Sequence, residues 1–192
     1  EETRKKVEKA IEKSNYTVND IARSLAVRTT HTIGVMTSDV RDGYYANAIY
    51  TIEQEFRKLG YNVILCNTGQ GLVKKKKYIQ VLLEKKVDGI ILVGSVFKEQ
   101  SDNSHIIEAA KKVPIVTLNS DIKGENIYSI VCDDSYATYE IVKYLYEKGH
   151  RDILYIYDVE SFSGLAKLEG FKRASKEYLT PDTDKLLLNV RP

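Results

Sequence analysis

The stretch that decides the fold is "TIGVMTSDVRDGYYANAIYTIEQEFRKLGYNVILCN", residues 32–67. It opens with a short apolar run, "TIGVMTS". It continues into "YYANAIYTIEQEFRKLG", where Ile49, Ile52, Phe56 and Leu59 recur at three-or-four spacing and Gly60 supplies a C-terminal stop. That spacing predicts an amphipathic helix. "YNVILCN" then returns to a β-branched apolar run. Strand, helix and strand at this spacing make one βαβ unit, whose strands are parallel and joined by a right-handed crossover.

The pattern repeats downstream. "KKKKYIQVLLEKK" (74–86) predicts a Lys-rich helix, "VDGIILVGS" (87–95) a strand, "SHIIEAAKKV" (104–113) a helix and "PIVTLNS" (114–120) a strand. "IYSIVCD" (127–133) predicts another strand, "SYATYEIVKYLYEKG" (135–149) a helix closed by Gly149, and "RDILYIYD" (151–158) a strand. These strands are continuous apolar runs rather than alternating ones, as expected where both faces are buried. The fold class that follows is α/β, an open doubly wound parallel sheet. "SGLAKLEGFKRASKEYL" (163–179) and "DKLLLNV" (184–190) add a helix and a strand. Either they tuck onto the first sheet or they open a second subdomain.

The 192 residues have average hydrophobic (43%) and charged (29%) content, which suits a globular domain with a sizeable core. The net charge of +2 falls entirely in residues 1–31, which hold seven Lys/Arg against five acids. That placement suits either an anionic partner or a solvated helix face. No apolar run reaches the ~18 residues of a membrane span, and no basic-then-apolar leader opens the chain. Cys66 and Cys132 lie in or beside apolar runs without metal-ligand spacing and read as two buried thiols in a reducing compartment. A cytoplasmic protein fits.

Motifs for catalysis are missing. "TGQGLVK" (68–74) has Gly69 and Gly71, but Lys74 takes the place of a third phosphate-loop glycine. There is no GxxxxGK[ST] and no GxSxG. His31, His105 and His150 pair with no Cys or Ser at a recognisable spacing, and one aspartate of Asp133–Asp134 can simply cap the following helix. The expectation is a binding protein, not an enzyme, with no catalytic residues, no metal and no cofactor.

Two segments precede the first strand. "EETRKKVEKAIEKS" (1–14) places Val7, Ala10, Ile11 and Ser14 on one helical face and Lys5, Lys9 and Lys13 on another. In "NYTVNDIARSLA" (15–26), Asn19 is a good N-cap, and Ile21, Ala22 and Leu25 form a small apolar edge beside Arg23. A helix of two turns forms only when captured. An apolar wedge flanked by arginine is the kind of element that minor-groove proteins insert between base steps.

With these stretches the chain resembles the LacI/GalR (lactose-repressor) family of ligand-responsive transcription regulators. The resemblance is carried by "TRKKVEKAI" (3–11), "NYTVNDIARSLA" (15–26), "TIGVMTSDV" (32–40), "KKVDGIIL" (85–92), "VPIVTLN" (113–119), "EKGHRDILYI" (147–156) and "KLEGFKRA" (167–174), in the family's order. It implies that 1–14 is the last helix of a helix-turn-helix headpiece whose recognition helix is not in this sequence. It implies a hinge segment at 15–31, with a hinge helix at 19–26. Residues 32–160 become the N-terminal subdomain of a periplasmic-binding-protein-like effector domain, and 161–192 the incomplete start of its C-terminal subdomain.

For function, the resemblance implies a repressor that binds a palindromic operator as a homodimer. Leu25 would be the minor-groove wedge, with Asn19, Ala22 and Arg23 beside it. A small-molecule effector, sugar or nucleobase-like, would bind between the two halves and meet Tyr44, Tyr45, Asp134 and Lys167. Tyr45 or Tyr44 could instead pack at the helix start, and Asp134 could act as a cap. Two departures stand out. Val18 replaces the proline usual before the hinge asparagine, loosening that turn. Lys167 replaces the arginine of an R-x-x-G stretch, losing the planar two-pronged donor. The alternative is a periplasmic-type sugar-binding protein of the same two-lobed fold, which would carry a secretion leader in place of 1–31.

Overall fold

A computed structural model describes residues 3–4, 29–158 and 161–190. The headpiece expectation beyond Thr3 and Arg4, and the hinge helix with Asn19, Ala22, Arg23 and Leu25, fall outside the described residues.

The first lobe is a five-stranded, all-parallel sheet built from β1 (Thr32–Thr37), β2 (Asn62–Asn67), β3 (Gly89–Val93), β4 (Ile115–Leu118) and β5 (Ile127–Ile130). Its order is β2-β1-β3-β4-β5. Helices α1 (Gly43–Lys58), α2 (Leu72–Glu84) and α3 (Ser104–Ala110) make the crossovers. Alternation along β1 and β3 sends side chains to two cores. Ile33, Val35, Ile91 and Val93 meet Ile49, Ile52 and Phe56 of α1 on one face. Met36, Ile90, Leu92 and Ile115 meet Ile79 and Leu82 of α2 and Ile106 of α3 on the other. Gly34 lets α2 approach closely, since a Cβ there would lie 2.6 Å from Leu82 Cδ1.

One helix expectation shifts at its end. Leu59 is the C-cap of α1 and 70% exposed. Tyr61 takes its place, packing edge-on to Phe56 at 5.8 Å in the core under α1. Positive φ at Gly60 (79°) turns the chain back sharply enough for that substitution.

The chain enters β1 under a clamp. Asp88, just before β3, accepts from Thr29 Oγ1 at 2.5 Å and from the Thr30 N–H at 2.9 Å. Burial raises the Asp88 pKa, but the hydrogen bonds from Thr29, Thr30 and Thr32 outweigh it and the net shift is down.

The second lobe corrects the expected grouping. β6 (Tyr155–Tyr157) does not join the first sheet but pairs in parallel with β7 (Leu187–Asn189). Helix α4 (Asp134–Glu147) packs on α5 (Phe162–Tyr178) over this second sheet, around Val142, Phe171 and Ala174. The passage between sheets therefore falls between Ile130 and Asp134, not at residue 160. Apolar runs show that strands exist, not which edge they pair with, and "RDILYIYD" carries no signal of its partner. The C-terminal strand is also shorter than "DKLLLNV", because Thr183–Leu186 forms a 3-10 turn.

Gly170 sets the α4–α5 approach, since a Cβ would lie 2.0 Å from the Ser135 carbonyl oxygen. Tyr155 stacks on Phe171 at 4.8 Å, closing the core from the sheet side. Cys66 is buried, and burial pushes its thiol pKa up. Cys132 is exposed instead of buried, because β5 ends before it.

Candidate functional site

The chain leaves β1 toward β2 on one side of the sheet and leaves β3 toward β4 on the other. The loops after β1 and β3 therefore diverge and leave a crevice at the strands' carboxyl ends, the place where open α/β sheets bind ligands. A cleft of about 1410 Å³ opens there. The first lobe contributes the loops Ser38–Asp42 and Gly94–Ser101, the start of α1 and Asn119; the second contributes β6 and the start of α5.

The first-lobe wall is built on caps and turns. Asp42 caps α1, accepting from the N–H groups of Tyr44 at 2.8 Å and Tyr45 at 3.4 Å. Arg41 grips Asp39 with Nη2 on Oδ2 at 2.7 Å and Nε on Oδ1 at 3.0 Å. Those bonds hold the Asp39 pKa down to about 2.

The two tyrosines divide their work. Tyr44 is 57% exposed, and its hydroxyl accepts from Asn119 Nδ2 at 2.9 Å. Tyr45 lies beneath, packed against the core under α1 and edge-on to Tyr44 at 5.6 Å. Burial raises the Tyr45 phenol pKa, only partly opposed by a hydrogen bond with Ser38. The Tyr45 hydroxyl reaches over Gly94, where a Cβ would come within 2.8 Å and where φ is 120°. Gly94 thus meets two demands, room for the ring and a backbone that L residues rarely adopt. Asn119 itself holds φ 58°, a conformation asparagine tolerates well, and this turns its amide toward Tyr44.

Of the second-lobe candidates, Lys167 lines the cleft and Asp134 stands behind it. Asp134 accepts from Ser163 Oγ at 2.5 Å and faces Lys167 Nζ at 3.7 Å. Capping of α4 falls to Asp133, which accepts from the Tyr136 N–H at 2.9 Å. Asp134 is thus placed to hold Ser163 and Lys167 in position. Tyr44, Tyr45 and Lys167 line one cavity.

Sequence reading missed Asn119, Gly94, Lys98 and Phe162 on the cleft surface and Lys75 buried at its wall. The glycine alone had a signal, standing at the end of the apolar run "GIILVG" as Ser38 stands at the end of β1. Among the described residues no group of three or more His, Cys, Asp or Glu could hold a metal ion. No helix among them is long and apolar enough to cross a membrane.

A two-lobed α/β protein with its cleft at the switch point is a ligand-binding architecture. Residues 30–190 match the family model described as periplasmic binding proteins and sugar binding domain of LacI family. An HTH-type transcriptional regulator of Lachnoclostridium phytofermentans is 43% identical over 97% of this chain and 57% of its own length. The HTH-type transcriptional repressor PurR of Proteus mirabilis is 32% identical over 92% of this chain and 52% of its own. A periplasmic binding protein/LacI transcriptional regulator from Alkaliphilus metalliredigens, crystallised with D-xylulofuranose, superposes with a TM-score of 0.68. It is 25% identical and is matched over 84% of this chain and 56% of its own. The chain belongs to this LacI-type family, and it spans about half the length of the curated relatives it matches. These relatives are regulators and binding domains, not enzymes.

Proposed function

We propose that the chain is the effector-sensing part of a ligand-responsive transcriptional repressor, which binds a palindromic operator as a homodimer in the cytoplasm. The observation that carries the effector reading is the Tyr44–Asn119 pair at the mouth of the cleft. It presents an aromatic face and fixed polar groups side by side, a combination suited to a sugar or a nucleobase. The relative crystallised with D-xylulofuranose favours a sugar. Tyr44 stacks on the ligand, Tyr45 supports it from below, and Lys167, held by Asp134, binds from the second lobe. A lysine there donates as a point charge and suits a hydroxyl-rich ligand better than one clamped through a carboxylate.

Ligand held by both lobes biases their closure. Residues 15–31 connect that movement to DNA, with Asn19, Ala22, Arg23 and Leu25 forming the hinge contact. The clamp of Asp88 on Thr29 and Thr30 supports this coupling, because it ties the start of β1 to the core of the first lobe. The second half begins with α4, at Asp134. The exposed apolar side chains Leu154, Ile156 and Leu188 on β6–β7 and its approach suit a further layer of structure.

The test is operator selection from a random duplex library with the intact protein, followed by titration of the selected DNA with D-glucose, D-xylulose and hypoxanthine. A palindromic site whose affinity changes about tenfold or more with one of these ligands is expected. A protein that selects no site, or is secreted and binds sugar without DNA, supports the periplasmic-type reading instead.

A further inference from the structure

The run "KKKK" (74–77) looks like a solvated helix face, and three of its lysines are exposed. Lys75 is not: its side chain is 3% exposed. From α2 its ammonium donates to the Val96 carbonyl oxygen and to Glu99 Oε1, the latter at 2.7 Å, and it sits 5.7 Å from the centre of the buried Phe97 ring. All three partners lie in the turn that follows β3. One buried cation therefore pins the first-lobe wall of the cleft from behind. The pin continues into α3, because the Glu99 N–H donates to Asn103 Oδ1 at 2.8 Å while Asn103 Nδ2 returns a bond to Glu99 O at 2.9 Å.

The residue between those anchors faces the other way. Lys98 is extended (φ −80°, ψ 116°), so its side chain diverges from that of Glu99. Its ammonium lies 4.6 Å over the Phe162 ring, at the start of α5. That contact crosses the mouth of the cleft from one lobe to the other.

We propose that Lys75 is a positioning residue for the cleft, fixing the 95–101 wall and with it the Lys98–Phe162 contact between the lobes. This deepens the effector reading and rests on it for its meaning, though the wall itself can be tested without a ligand. Burying the Lys75 ammonium beside a partly buried Glu99 is a costly way to gain stability, since the lysine loses its water. It is well suited to holding one geometry, because a displaced partner leaves a buried charge unmatched.

The experiment is hydrogen exchange on the intact protein, comparing wild type with Lys75→Met, Lys75→Arg and Glu99→Gln. Exchange at amides 95–101 is expected to rise about tenfold or more in Lys75→Met and Glu99→Gln, with β1 and β3 still protected, and to fall back toward wild type in Lys75→Arg. Glu99→Gln is the milder change and carries the test if Lys75→Met does not fold. Unchanged exchange at 95–101 in a folded variant, or exchange raised equally everywhere, overturns the proposal. In parallel, D-glucose, D-xylulose and fructose 1-phosphate are titrated into each protein. Any of them that binds wild type is expected to bind Lys75→Met about tenfold more weakly. If none binds wild type the choice of effector class fails, while the exchange result still decides the role of Lys75.

Discussion

At the scale of single residues, the cleft depends on side chains whose surroundings give each a different task. Tyr44 offers its ring to solvent while Asn119 holds its hydroxyl. Tyr44→Ala is expected to weaken sugar binding about tenfold, equivalent to ~1.4 kcal/mol, in calorimetric titration, with the melting temperature little changed. Tyr45→Ala should also loosen the core under α1. His105 gives a pH prediction. Both ring nitrogens are buried and have no hydrogen-bond partner among the described residues. Burial lowers the pKa, the Lys76 and Lys75 charges add to that, and Glu99 and Asp102 oppose it. The folded protein therefore resists protonation that the unfolded chain accepts. Stability is fully present above the ordinary histidine value of 6.5 and is lost as pH falls from there toward the lowered folded value. Denaturant midpoints of His105→Leu, compared with wild type between pH 7.5 and pH 5.5, should show a shallower loss on acidification.

At the scale of elements, what decides is how closely pieces approach. Gly170→Ala forces a Cβ to within 2.0 Å of the Ser135 carbonyl oxygen, a backbone atom unable to swing aside. A destabilisation of about 3 kcal/mol is expected, read as a lower urea midpoint, with amides of α4 and α5 losing protection before those of β1 and β3. An equal loss in both lobes would mean that they unfold as one unit. The α1 and α2 helices were legible in the sequence because their apolar positions repeat with the helical period. The ends were not. Leu59 has the right spacing for the core but belongs to a residue already leaving the helix. The strand in "DKLLLNV" begins late because a 3-10 turn uses up its first leucine.

At the scale of the whole molecule, two lobes share one cleft, and a basic N-terminal segment precedes them. Electrostatics then separates specific from general DNA binding. The 192-residue chain alone is expected to bind duplex DNA weakly and without sequence preference, with affinity falling steeply between about 50 and 200 mM salt. Filter binding or fluorescence anisotropy over that range checks this. Tight sequence-selective binding by this chain alone would overturn the proposal that residues 1–14 belong to a helix-turn-helix headpiece. If Leu25 has the proposed hinge role, Leu25→Ala in the intact protein should cost operator affinity about tenfold while leaving effector binding unchanged, since a minor-groove wedge would meet only DNA.

The amino-acid sequence by itself determined the local and periodic features. Continuous apolar runs between amphipathic segments required a parallel α/β sheet, and the series of short motifs placed the chain in its family. It also singled out Tyr44, Tyr45 and Lys167, which fold into one cavity. Only the tertiary structure decided pairing and proximity. It put β6 beside β7, moved Asp134 behind Lys167, brought Asn119 to Tyr44 across 75 residues and buried one lysine of four at the cleft wall. The physical reason is that a residue's type and spacing set its local conformation and the side of the element it faces. Its partners are set by close packing between segments distant in the chain, which no local pattern records.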